Sequence, residues 1–164
     1  MKSDVLNSSS GSYGKGFELQ NIHKVIVSED GTASSFTKEI EVADSGKTYM
    51  VDISANTVTV QLPAVAEAIG CTYKFVLSNA SDNENAKSFG LMTAAAGEDI
   101  VGAVLVNGAH VEITGSTLEI DASAAAATHG DWLSVFSDGD YWYCDGSVVT
   151  ASALVINAGL ALAS

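Results

Sequence analysis

The chain has 164 residues, 47% of them hydrophobic and 16% charged, a composition that folds and does not stay disordered. Twenty acids against seven lysines, with no arginine, give a formal charge of −13. Binding a nucleic-acid backbone depends on cations that neutralise phosphates, so nucleic acid is excluded as a partner.

A chain of this length forms one domain whose core needs neither disulfide nor metal. No apolar core of a signal peptide follows Met1. The most apolar stretch, Val148 to Ala163, is short and broken by Asn157 and Gly159, so no membrane span is expected. The charge is uneven: residues 1–87 hold all seven lysines and eleven acids, residues 88–164 nine acids and no cation. Chance plus solubility explains this blandly. The sharper reading has Lys24, Lys38 and Lys74 facing an acidic partner.

Residues 1–22, with Ser8-Ser9-Ser10-Gly11-Ser12 and Tyr13-Gly14-Lys15-Gly16, form a flexible N-terminal arm. It is either a disordered tail or a segment that orders on a neighbouring subunit through Tyr13 and Phe17. The β domain, 23–146, begins near His23 with Val25 and Val27 alternating, then turns at Glu29-Asp30-Gly31. Ile40 and Val42 alternate with Glu39 and Glu41, and Asp44-Ser45-Gly46 turns the chain into a meander. Its first two strands carry Tyr49, Val51, Ile53 and Val58, Val60, Leu62 at period two, joined by a hairpin turn at Ser54-Ala55-Asn56. Pro63, the one proline, ends the second strand. Residues 64–69 wind at most one short helical turn that Gly70 closes, and Cys71 to Leu77 is the third strand.

Asn79 to Asn85 is a polar loop whose oxygens suggest calcium, but Ala86 falls where an EF-hand loop needs its turn glycine or acid. Strands follow at Phe89–Thr93 and Asp99–Val106, then a hairpin at Asn107-Gly108, where both residues tolerate positive φ. Short strands at His110–Thr114 and Thr117–Asp121 precede a small-residue loop, 122–128. Asp131 to Gly146 is a second clear hairpin, turning at Ser137-Asp138-Gly139-Asp140 and carrying both tryptophans. The apolar segment 147–164 packs on its own domain or on a neighbouring subunit. The fold expected is all-β: an antiparallel β-sandwich or barrel with short hairpins.

Catalytic chemistry is not legible. Gly46-Lys47-Thr48 copies the end of a phosphate-binding loop, but Glu41 replaces its first glycine and a strand follows where a helix is required. His23, His110 and His129 lie far apart, without metal-ligand spacing, and no Gly-x-Ser-x-Gly elbow exists. Cys71 and Cys144 either pair across a sheet or remain two buried thiols. Neither enzyme activity, nor a metal, nor a cofactor is expected.

Gly46-Lys47-Thr48-Tyr49, Val60-Gln61-Leu62-Pro63-Ala64 and Gly70 to Val76, with Gly130 to Val135 and Asp138 to Tyr143, resemble small β modules of tailed-phage virion proteins. Within that group the short chain looks most like a capsid decoration, or cement, protein. The resemblance implies a homotrimer on the outer surface of the virion head, made in the host cytoplasm. It would bind the major capsid protein across subunit seams. Tyr13, Phe17, Lys24, Lys38, Trp132, Tyr141 and Trp142 are the interface candidates. The alternative is a carbohydrate- or receptor-binding module of a tail fibre or bacterial surface protein, with Trp132 and Trp142 stacking on sugar.

Overall fold

The computed structural model describes residues 22–26, 35–54, 56–79, 87–121, 129–150 and 152–157. Tyr13, Phe17 and the rest of the arm up to residue 21 lie outside them, as do most of the 79–85 loop and residues 158–164. Among the described residues the chain is all-β. The strands are β1 (Ile22–Ile26), β2 (Ser35–Glu39), β3 (Thr48–Asp52), β4 (Thr57–Gln61), β5 (Thr72–Asn79) and β6 (Ser88–Met92). They continue with β7 (Ile100–Val106), β8 (Ala109–Gly115), β9 (Thr117–Asp121), β10 (Trp132–Ser137), β11 (Trp142–Val148) and β12 (Leu154–Asn157).

Two sheets form, one of seven strands in the order β1-β3-β5-β10-β11-β7-β8 and one of five in the order β12-β9-β6-β4-β2. Neither closes into a barrel, and both are mixed, not antiparallel. The reason is the path of the chain. From β1 to β6 consecutive strands alternate between the two sheets, so each strand from β3 on meets its predecessor-but-one in its own sheet after the chain has crossed and returned. A return of that kind restores the original direction. β1, β3 and β5 are accordingly parallel neighbours, as are β2, β4 and β6.

Ser54-Ala55-Asn56 is therefore not a hairpin turn. It carries the chain from β3 in one sheet to β4 in the other. Two expected hairpins do form. Asn107 (φ 49°) and Gly108 (φ 82°) join antiparallel β7 and β8, and residues 138–141 join antiparallel β10 and β11. Pro63 follows β4, and a 3-10 turn at Val65–Glu67 follows the proline. A second 3-10 turn, Val42–Asp44, takes Val42 out of its expected strand.

Period-two alternation directs one face of each strand into the space between the sheets. Tyr49, Val51, Tyr73, Phe75, Leu133, Val135, Trp142 and Ile113 from the larger sheet meet Val58, Val60, Phe89, Leu91, Leu118 and Ile120 from the smaller. The Phe75 and Phe89 rings, 5.6 Å apart, mark the contact between layers. β12 pairs with β9, so Leu154–Asn157 packs on its own chain.

Cys71 and Cys144 are both free and buried. Burial, aided by the neighbouring Asp145 charge, pushes the Cys144 thiol up to about 12. The thiolate is the nucleophile, so Cys144 should resist iodoacetamide at pH 8 in the native protein and react once urea unfolds it. Equal labelling rates in both states would contradict this burial.

Candidate functional site

The β10–β11 hairpin sits in the middle of the larger sheet, between β5 and β7. Leu133, Val135, Trp142 and Cys144 point into the core, so Trp132, Ser134, Phe136, Tyr143 and Asp145 form its outer face. Phe136 and Tyr143 are cross-strand partners, and their rings stack at 4.9 Å. Tyr141, at the turn, meets Tyr143 edge-on at 6.3 Å.

The turn is held from both sides. Ser137 is buried; its hydroxyl donates to the Val65 carbonyl (3.1 Å) and accepts from the Gly139 amide (3.1 Å). Its backbone carbonyl accepts from Gly70 (2.8 Å) and its amide donates to Cys71 (3.0 Å), tying the hairpin to the segment after β4. Asp138 organises the tip. One carboxylate oxygen accepts the amides of Asp140 and Tyr141, both at 2.9 Å, and the other accepts the Tyr143 phenol at 2.9 Å. Ile69 lies against Gly139 so closely that a β-carbon there would come within 2.8 Å of it.

The product is an exposed apolar and aromatic surface at one end of the sandwich. Ile69 is 69% exposed, Phe136 50% and Tyr141 45%, three of the five most exposed large apolar side chains among the described residues. A fourth, Val42, belongs to the adjoining 3-10 turn, whose carbonyls at Glu41 and Val42 receive the Tyr73 hydroxyl and the Cys71 thiol. Glu41, Glu67, Asp138 and Asp140, all exposed, lie in the segments that build this end.

The amides of Tyr141 and Asp140, with the Tyr143 phenol, hold the Asp138 carboxyl below its ordinary value of 3.8. A depressed carboxyl contributes order above its unfolded value and loses it as pH falls through the folded one. The Asp140 and Tyr141 amide resonances should therefore move together as pH drops below 3.8, and Asp138→Asn should abolish that acid transition. Survival of the transition in the variant would assign it to another group.

The structure separates the expected interface residues. Tyr141 belongs to the exposed end. Trp132 is half-buried on the same outer face, with the Lys74 ammonium 4.3 Å from its ring centroid. Trp142 is wholly buried and packs on Tyr73 at 5.8 Å, so it has no surface to offer a partner or a sugar. The correction has a simple cause, since strand alternation sends Tyr143 outward and its neighbour inward. Lys38 is exposed on β2, at the edge of the smaller sheet, whereas Lys74 lies on the larger. No common lysine face joins these two. Lys24 lies on β1, whose side chains are not described.

Phe136, Tyr143 and Ile69 were not among the expected residues. Continuing the Leu133/Val135 alternation around the turn would have found the first two; no sequence signal marks Ile69. His110 and His129 are exposed, and the latter's Nδ1 lies 2.9 Å from the Ser78 carbonyl. Among the described residues no three or more His, Cys, Asp or Glu side chains are grouped to hold a metal, and no helix is long and apolar enough to cross a membrane. Comparison with known protein families, characterised proteins and solved structures finds no match.

Proposed function

We propose that this protein is an adhesion module of a tailed-phage virion, a decoration protein that binds the outer surface of the capsid through its hairpin end. The observation that carries the docking half is the fixed aromatic surface of Phe136, Tyr141 and Tyr143, held by Asp138 and flanked by Ile69. Contiguous exposed apolar groups of this kind characterise protein-binding surfaces. Rings already locked by stacking and hydrogen bonds lose little conformational freedom on docking, the property of good anchors. The capsid half rests on resemblance to small β modules of phage heads. Three copies around a capsid symmetry axis would add modest contacts through avidity, and every seam they bridge must break before the shell bursts.

The glycan-binding reading has Trp132 and Trp142 stacking on sugar. Trp142 is in the core and the face of Trp132 is occupied by Lys74. Adhesion to protein is the better account.

The test uses capsids lacking the protein, to which the purified chain is added. Wild type should co-sediment and raise the temperature at which the shells rupture. The double variant Phe136→Ser, Tyr141→Ser should bind at least about 100-fold more weakly, since two lost anchors cost roughly 2 kcal/mol or more each. Its own melting should move little, because both side chains are on the surface. Equal binding by the double variant would remove this face from the mechanism, and absence of wild-type binding would remove the capsid.

A further inference from the structure

The reading of the hairpin end as a docking face leaves its occupant unnamed, and the chemistry around that face restricts the choice. The segments that build it, 41–46, 65–72 and 136–143, contain Glu41, Asp44, Glu67, Asp138 and Asp140 and not one lysine. The nearest cation in sequence, Lys47, is bonded to Asp44. An aromatic surface in such a field is matched to a partner that brings both positive charge and flat apolar area. A second copy of this chain is a poor fit, because joining two such ends sets carboxylates against carboxylates. The same outer face already holds a cation over a ring, the Lys74 ammonium 4.3 Å above Trp132, two strand positions before Ser134 and four before Phe136.

We propose that the occupant is an arginine-bearing segment of a different protein, its guanidinium lying on the Phe136, Tyr141 and Tyr143 rings within reach of the Asp140 and Glu67 carboxylates. Arginine suits the surface better than lysine. Its guanidinium is planar, stacks on aromatic faces and is weakly hydrated, so it covers apolar area while answering the surrounding charge. The chain has no arginine of its own, so the partner must supply it. Two of the carboxylates differ in role: Asp138 is engaged by three donors within the turn, which leaves Asp140 and Glu67 to meet the incoming cation. Association governed by such a field is fast at low salt and slows as salt is raised.

The inference rests on the docking-face reading, and two assays keep their failures apart. In the first, the full isotope-labelled chain is titrated at low salt with an acetylated hexapeptide of alternating arginine and valine. A matched peptide carries citrulline, the uncharged isostere, in place of arginine. The arginine peptide should shift the Gly139, Tyr141 and Tyr143 amides, and citrulline or the double variant Glu67→Lys, Asp140→Lys should weaken binding at least tenfold. Equal binding of the citrulline peptide, or shifts confined to another part of the chain, would overturn the inference. In the second assay the charge-reversed variant joins the capsid experiment. If it binds capsids as wild type does while the Phe136→Ser, Tyr141→Ser variant does not, the docking face stands and the cationic occupant falls. If the aromatic variant binds normally, the face itself fails. Self-association of the wild type that the aromatic variant lacks would replace the proposed occupant with a second copy.

Discussion

Gly102→Ala should unfold the protein or leave it barely stable. Gly102 lies in β7, opposite Cys144 of β11 in a parallel ladder, with φ at +138°. A β-carbon built there would lie 2.1 Å from the Cys144 carbonyl oxygen and 3.0 Å from its nitrogen. Ordinary nonbonded separation is about 3.5 Å, so the two strands would have to part. They have nowhere to go, because β11 is pinned on its other side by β10 and its buried face carries Trp142 and Cys144. Positive φ adds a second penalty that any side chain meets. Together these place the change in the rare class costing about 4 kcal/mol or more, against a total stability of about 5–15 kcal/mol for a domain. Urea melts of the two proteins would measure the difference, and an unchanged midpoint would mean that the β7–β11 pairing is not as described.

The two tryptophans should behave as opposites. Trp142→Ala removes the largest of the fully buried side chains from its packing on Tyr73. Its loss should cost about 3–5 kcal/mol and lower the melting temperature by about 10 °C or more. Among the described residues the buried indole nitrogen has no hydrogen-bond partner, so Trp142→Phe forfeits chiefly packing volume and should recover more than half of that loss. Trp132→Ala removes a half-exposed ring and its contact with Lys74, worth about 0.5–1 kcal/mol. Fluorescence provides a second readout: Trp132→Ala leaves a blue-shifted core emitter, and Trp142→Ala leaves one that a quencher reaches. Equal destabilisation by the two alanine variants would contradict the inward turn of β11.

Period-two alternation exposed the strands because each has one face in the core, as with Tyr49, Val51 and Ile53 or Leu133 and Val135. Turn chemistry placed the Asn107-Gly108 and Asp138-Gly139 hairpins, where backbone geometry selects residue type. The connection at 54–56 is not legible because alternation is a property of one strand. A strand that pairs with its neighbour and one that crosses to the opposite sheet bury the same pattern. The mixed sheets follow from that single ambiguity repeated along the first half of the chain. The inward direction of Trp142 is hidden for a related reason: aromatic content suggests importance but not direction, and direction depends on where the turn releases the strand. The exposed end was half legible. Tyr141 stands beside turn residues, whereas Ile69 joins it through tertiary contacts: the hydrogen bonds of Gly70 and Cys71 with Ser137 and its own packing on Gly139.

Hydrogen exchange of the protein bound to capsids, compared with the free protein, tests the central claim most directly, because it reports where contact is made and not only whether. Docking through the hairpin end predicts slowed exchange at the 138–141 turn and across residues 66–70, with β8 and β2 unchanged. Protection on those edge strands with the turn still exchanging freely would contradict it.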